Sequence, residues 1–269
     1  MTSPDRLVRV ATARGVTTLT LDSPHNRNAL STALMTELLA GIAAAVADDA
    51  VRVVVLDHTG PVFCSGADLK ETAAAYASGS VPAGMLGDVL VAVRECPKPV
   101  LARVAGPARA GGLGLIAAAD LAVCAQEATF AFTEVRIGVI PAVISATVLP
   151  RLHPRAAAEL YLTGDTFDGR RAAEVGLVTA AVPAGELDAA VARYCASLVR
   201  GAPGALAGTK ELLRRQAATD LRAEIADLSA RSTGYFLSAE GREGVAAFRE
   251  KRLARWVVAV DGGDGEGAG

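Results

Sequence analysis

The sequence predicts an α/β fold with a helical C-terminal region, and three observations carry that expectation. A succession of strand, glycine-rich turn, helix and strand occurs twice, at 51–70 and at 100–125, which is βαβ organisation. The run VRVVVLD at 51–57 is apolar with little alternation, so it reads as a strand buried on both faces. From about residue 203 onward only helical patterning is present, over 203–217, 219–239 and 242–258.

The elements follow in order. Residues 6–11 and 16–21 are short β-rich runs around Arg14–Gly15, a hairpin turn. After the polar loop DSPHNRNAL, Ser31 caps a helix from Thr32 to about Val46, with Leu34, Leu38 and Ile42 on one face. The 51–57 strand leads into HTGPVFCSGADLKE, a glycine-rich loop where α/β proteins place ligands. Residues 71–84 read as a surface segment, and a helix at 85–95 stops at Cys96–Pro97–Lys98–Pro99. Strands at 100–104 and 121–125 flank GPARAGGLGLIAAAD. An extended run at 129–133 precedes EVRIGVIPAVI, then short helices at 143–149, 154–162 and 170–175. A strand in VGLVTAAVP and a helix at 185–199 close the mixed region. The expected division is a core over 1–200, a helical assembly or lid region over 201–258, and a disordered tail over 259–269.

Composition narrows the function. With 51% hydrophobic and 21% charged residues among 269, the chain is not wholly disordered. Its 27 basic and 29 acidic residues give a net charge of −2. That balance leaves no footprint for nucleic acid and no reason to expect an anionic membrane surface. No apolar run reaches the roughly 18 residues of a spanning helix. The opening MTSPDRLVRV has Asp5 and Arg6 where a signal peptide would be apolar. A soluble, cytoplasmic protein is the expectation. Cys64, Cys96, Cys124 and Cys195 are widely spaced without a CxxC, so they read as buried thiols, not a disulfide framework or zinc site.

The glycine-rich turns carry the chemistry. In SGADL at 65–69, Gly66 permits a positive φ and small Ala67 lets its N–H approach a ligand. The pentapeptide equally suits a tight loop in which Asp68 caps the next turn. In AGGLGL at 110–115, Gly111 and Gly112 open an apolar helix whose first N–H groups lack acceptors. There is no GxxxxGK[ST] and no spaced GxGxxG with a following acid, so nucleotide-loop readings are weak. Two convergent backbone donors would form an oxyanion hole for a carbonyl oxygen that gains negative charge.

Five stretches then carry a family resemblance: NRNALS at 26–31, VFCSGADLKE at 62–71, Gly106 through Asp120, TEVRIGVIPA at 133–142 and EGVAAFREKR at 243–252. With these the chain resembles the enoyl-CoA hydratase/isomerase superfamily, the crotonase fold, in a pattern similar to the methylglutaconyl-CoA hydratase branch. The resemblance implies a spiral of β-β-α units with C-terminal helices and a homo-oligomer, a trimer or dimer of trimers. It implies an acyl-CoA thioester substrate, coenzyme A being part of the substrate and no cofactor tightly bound. Ala67 and Gly111 would hold the thioester oxygen. Arg27, Ala67, Asp68, Leu69, Phe248 and Lys251 would contact coenzyme A, the last two from a C-terminal helix that often belongs to a neighbouring subunit. Ala29, Arg109, Gly114 and Pro141 would line the substrate pocket, with Arg109 able to face an acidic acyl chain or to pair with a structural acid.

Hydratases of this family use two glutamates. The second matches Glu134; the first falls on Gly114, which has no carboxylate. Hydration with Glu134 as single acid/base is the leading expectation. Double-bond isomerisation and a degenerate acyl-CoA-binding role are the alternatives. Phe132, Val135 and Ile137 are the neighbours expected to desolvate Glu134, and Arg136 is a candidate ion-pair partner. Glu71, Tyr76 and Met85 are further pocket candidates, but Glu71 reads first as a solvated helix charge, and ordinary packing explains Tyr76 and Met85 equally well. His25 and His58 flank the ligand-facing loops, and His153 starts a helix.

Overall fold

The computed structural model describes residues 6–68, 71, 83–215, 234 and 238–257. Arg14 at φ 50° and Gly15 at φ 75° close the hairpin of β1 (Val8–Ala13) and β2 (Val16–Leu21). Two positive φ angles give the backbone twist that a two-residue hairpin requires. Ser31 accepts the Leu34 N–H and starts α1 (Thr32–Ala47), which buries Leu34, Leu38 and Ile42. β3 (Val53–His58) lies between β2 and β4 (Val100–Val104), parallel to both, and is buried except at Asp57. That is the strand buried on both faces that its composition predicts. α2 (Ala83–Glu95) ends before Pro97, and α3 (Gly111–Ala118) joins β4 to β6 (Leu121–Ala125).

With β9 (Ala180–Val182), these strands form a six-stranded sheet in the order β1-β2-β3-β4-β6-β9, antiparallel only at β1–β2. A second sheet joins β5 (Ala108–Arg109), β7 (Thr129–Ala131) and β8 (Phe167–Asp168). The remaining helices are α4 (Ala142–Val148), α5 (Pro154–Thr163), α6 (Gly169–Glu174), α7 (Leu187–Leu198), α8 (Pro203–Arg214) and α9 (Ala239–Arg249).

The C-terminal pattern needs one correction. The helix expected over 242–258 ends at Arg249, and Lys251 takes φ 52°. There Arg252 pairs with Glu243 and the chain turns back. Arg52, at the amino end of β3, donates to the Trp256 and Gly201 carbonyls at 3.0 and 2.7 Å. Trp256 Nε1 donates to the Arg200 carbonyl at 2.9 Å. α8 is held by Lys210, buried, whose ammonium lies 2.5 Å from Asp120. Most of the 219–239 helix, most of the 71–84 segment, Tyr76, and the 259–269 tail lie outside the described residues.

β3 and β4 both deliver their carboxyl ends to the same edge, and the two glycine-rich turns follow directly from them. In parallel sheets the crevice beyond these ends is where ligands bind.

Candidate active site

Three segments lie side by side beyond the strands. The loop 26–30 runs along 65–67: Ser65 N–H donates to the Arg27 carbonyl at 3.1 Å and Leu30 N–H to the Gly66 carbonyl at 2.8 Å. The 63–64 segment in turn runs along 107–109. Phe63 N–H donates to the Pro107 carbonyl and Arg109 N–H to the Cys64 carbonyl, both at 3.0 Å. Leu30 bridges to Ala67, and Cys64 to Ala108.

Asn28, which sequence reasoning missed, ties this wall together. It is fully buried at φ 52°. Its Nδ2 donates to the Thr59 and Val62 carbonyls at 3.0 and 2.8 Å, and its Oδ1 accepts the Ser23 N–H at 2.7 Å. The sequence signal was an Asn in a polar loop, a residue type that tolerates left-handed backbone.

Close approach explains the glycines. A Cβ on Gly66, which has φ 94°, would stand 2.7 Å from Ala110 Cβ and 3.6 Å from the Gly111 nitrogen. A Cβ on Gly111 would meet Leu30 at 2.6 Å, and one on Gly112 would meet Cys64 at 2.8 Å. The two turns therefore touch. Neither the Ala67 nor the Gly111 N–H has an acceptor among the described residues. Ala67 is exposed and Gly111 opens α3. Ala110, just before it, is held at φ 47°, ψ −119°, a backbone region costly for a residue with a Cβ.

Glu134 lies in the 3-10 turn Thr133–Ile137, closed by Gly138 at φ 76°. Its Oε2 is buried and has no hydrogen-bond partner among the described residues. Burial pushes its carboxyl above the ordinary carboxylate range, opposed only by its own backbone N–H. Arg136 is not its partner: the guanidinium binds Asp165 at 2.5 Å and the Thr163 carbonyl. Phe132 is fully buried under this turn and lies tilted against Tyr161, centroids 4.5 Å apart at 38°. Val135 points outward at 36% exposure, and the Ile137 side chain lies outside what is described.

Gly114, one turn into α3, offers no room for a side chain unless Ile144 shifts. A Cβ there would stand 2.6 Å from Ile144 Cγ2 and 3.3 Å from Leu90 Cδ2. The space is filled by α4, which Thr147 Oγ1 fastens to the Gly114 carbonyl at 3.1 Å.

The other expected residues divide. Ala29 and Pro141 are buried, and Arg27 is exposed at φ 60°. Arg109 is corrected: its guanidinium donates to the Ala108 carbonyl and to both the carbonyl and hydroxyl of Thr129, so it braces β5 against β7 and does not face an acyl chain. Asp68 accepts the Glu71 N–H at 3.2 Å, the cap that its residue type suggested, and an Asn26 amide at 3.3 Å. Glu71 accepts the Thr32 N–H and hydroxyl, both at 2.8 Å, so it caps α1 and is not a free solvated charge. Leu69 and the Phe248 side chain lie outside the described residues. Lys251 is exposed, in the segment anchored by Arg52 at the far end of β3. Met85 packs partly buried against the core, His25 is exposed, and exposed His153 precedes α5. The four cysteines are buried thiols, and burial pushes Cys64 and Cys124 up to about 12.

An α/β body with glycine-rich turns at the carboxyl ends of adjacent parallel strands is the class of fold that the described residues define. The enoyl-CoA hydratase/isomerase family model matches residues 11–258, and the chain belongs to that family. An enoyl-CoA hydratase from Mycobacterium avium is 46% identical, with a TM-score of 0.71 over 94% of this chain and 99% of that one. One from Mycobacterium smegmatis is 34% identical, with a TM-score of 0.85 over 93% and 98%. Mouse enoyl-CoA hydratase domain-containing protein 3, mitochondrial, is 30% identical over 94% of this chain and 85% of its own. The likeness spreads across the family and does not single out the methylglutaconyl-CoA hydratase branch. The cytoplasmic expectation is also corrected: the mouse, rat, zebrafish and human forms of domain-containing protein 3 are named as mitochondrial. Among the described residues no helix is long and apolar enough to cross a membrane, and no cluster of His, Cys, Asp and Glu is arranged to hold a metal ion.

Proposed function

We propose that this chain is an enoyl-CoA hydratase working with one carboxylate. The observation that carries the reading is Glu134: a carboxylate whose Oε2 is buried without a hydrogen-bond partner among the described residues and whose proton affinity is raised by burial. Glu134 takes a proton from water as the water oxygen bonds to Cβ of the enoyl thioester. The displaced π electrons move onto the thioester oxygen, which the Ala67 and Gly111 N–H groups receive. Collapse of that enolate takes the proton back from Glu134 at Cα, so one group serves both ends of a syn addition. Each oxyanion donor is worth roughly 100- to 1000-fold in rate, and a positioned general base about 100- to 10,000-fold.

In this reading Arg27 and Asp68 border the coenzyme A path, and Ala29 and Pro141 line the acyl pocket. The enzyme works as a homo-oligomer, and Lys251 and Phe248 belong to the coenzyme A contacts.

One observation favours a second reading. Ile144 and Leu90 occupy the space beside Gly114, so no second acid holds a water there. Double-bond isomerisation needs no water, only Glu134 moving a proton between Cα and Cγ. Products from crotonyl-CoA and from a 3-enoyl-CoA thioester decide between them: hydration adds the mass of one water, whereas isomerisation leaves the mass unchanged and shows as conversion of the 3-enoyl thioester to its conjugated 2-enoyl isomer by chromatography and absorbance. Glu134→Gln, followed in a single turnover, is expected to bind the thioester and lose about 100- to 10,000-fold in the chemical step. Turnover within threefold of the parent refutes the role of Glu134.

A further inference from the structure

His58 ends β3 and is 7% exposed. Its Nε2 accepts the Ala105 N–H at 3.1 Å, so the ring is neutral and its proton sits on Nδ1. That Nδ1 is buried and makes no well-formed hydrogen bond among the described residues, the backbone of Thr59 and Val62 being its nearest polar neighbours. The ring meets Phe63 edge to face, centroids 5.5 Å apart at 78°. Ala105 opens the loop that delivers Gly111, and Phe63 opens the segment that delivers Ala67. Beyond His58 the two loops are joined in register, Phe63 to Pro107 and then Cys64 to Ala108 and Arg109. His58 is thus the first rung of a ladder whose far end presents both donors.

A second proton on His58 would set an N–H against the Ala105 N–H. The charged groups facing the ring are Asp57 beside it and Arg103 from β4, and Arg103 is already shared between Asp57 and Asp188 of α7. Burial, the largest influence, holds the imidazole below its ordinary range.

We propose that His58 is a positioning residue for the oxyanion hole: its neutral imidazole joins the two donor loops, and protonation releases the first rung and lowers the rate of the chemical step. The inference rests on the oxyanion-hole reading of Ala67 and Gly111. An acceptor that does not titrate should preserve the rung, and Gln can offer its Oε1 near the place of Nε2.

The test compares the parent, His58→Gln and His58→Leu with crotonyl-CoA as probe, reading kcat and KM across acid and neutral pH. His58→Leu is expected to lose about 10- to 100-fold in kcat with KM little changed, the scale of a misplaced donor. His58→Gln should recover most of kcat and lose only the part of the acid limb that His58 contributes, leaving the limb that Glu134 sets as its carboxylate takes up a proton. In the parent, the Ala105 amide nitrogen shift should titrate together with the His58 ring, a measurement that needs no variant to fold and no turnover. An Ala105 amide indifferent to that titration overturns the proposal, as does parent-like kcat in a folded His58→Leu. Gly111→Pro separates the two ideas. Full turnover in folded Gly111→Pro overturns the oxyanion-hole reading itself. Loss of turnover there, beside parent-like kcat in His58→Leu, overturns only the role of His58.

Discussion

Position 114 offers a sharp test of how this site is built. Carbon atoms in ordinary contact stand about 3.5–4.0 Å apart. A Cβ added at Gly114 would lie 2.6 Å from Ile144 Cγ2, 3.1 Å from Ile144 Cβ and 3.3 Å from Leu90 Cδ2, so α4 would have to retreat by about 1 Å. It cannot do so freely, because Ile144 is 3% exposed and Thr147 binds the Gly114 carbonyl. Overpacking of this kind costs about 1–3 kcal/mol, partly offset by the gain of about 1 kcal/mol when Gly becomes Ala in a helix. Gly114→Ala alone should therefore be neutral to destabilising by about 2 kcal/mol. Ile144→Ala alone opens a cavity and should cost about 2–5 kcal/mol. Together the two changes relieve each other, because the new methyl enters the space that Ile144 vacates. Urea unfolding of the four proteins should give a favourable coupling of about 1–3 kcal/mol. Additivity within about 0.5 kcal/mol would refute the steric account. The same logic bears on chemistry: Gly114→Glu should restore no second acid unless Ile144 is also reduced to Gly.

Two further outcomes follow from backbone and charge. Ala110→Gly removes the strain at φ 47°, ψ −119° and should raise stability by about 1–3 kcal/mol in denaturant unfolding; no gain would mean the backbone there is relaxed. Glu134 has its folded pKa raised by burial, so its effect on stability is most favourable below the ordinary carboxylate range and is lost as pH rises through the folded value. Glu134→Gln should match the parent's melting temperature in acid and exceed it in mildly alkaline buffer, and a pH-independent difference would contradict this.

Much of the fold was legible because it depends on local pattern. Ser31 precedes an apolar periodicity, Arg14–Gly15 interrupts two β-rich runs, and 51–57 has the composition of an interior strand. The glycine turns were legible as turns, but what forbids a Cβ in them was not. Ala110 abuts Gly66 and Leu30 abuts Gly111, across sequence gaps that pattern does not bridge. Asn28 was missed for the same reason, since its carbonyl partners Thr59 and Val62 lie more than thirty residues away. Arg109 was misjudged because β5–β7 pairing, which brings Thr129 to its guanidinium, exists only once the second sheet has formed. The loss of a glutamate at 114 was readable. That Ile144 fills the vacated space was not, because it depends on how α4 crosses α3.

The C-terminal segment leads to a last prediction about assembly. Arg52 holds the Trp256 carbonyl at the amino end of β3, and the paired donors follow its carboxyl end. Six strand residues separate these places by about 20 Å, and the loops add more. Lys251 lies five residues before Trp256, in a segment tied to the end of its own chain's sheet away from its own donors. If its ammonium meets the anionic part of coenzyme A, as the resemblance implies, it does so in the site of a neighbouring copy. Complementation tests this. Lys251→Glu keeps Glu134 but should lose thioester affinity, and Glu134→Gln keeps Lys251 but should lose the chemical step. Unfolded together and refolded as mixed oligomers, the two variants should recover activity that neither shows alone, because a Glu134→Gln subunit then offers Lys251 to an intact Glu134 next door. Calorimetry with coenzyme A on each variant and light scattering on the mixture confirm that binding is lost and that oligomers form. Mixed oligomers with no recovered activity would place the Lys251 contact, if there is one, within a single chain, and the anchoring of Trp256 by Arg52 would have to open for Lys251 to reach it.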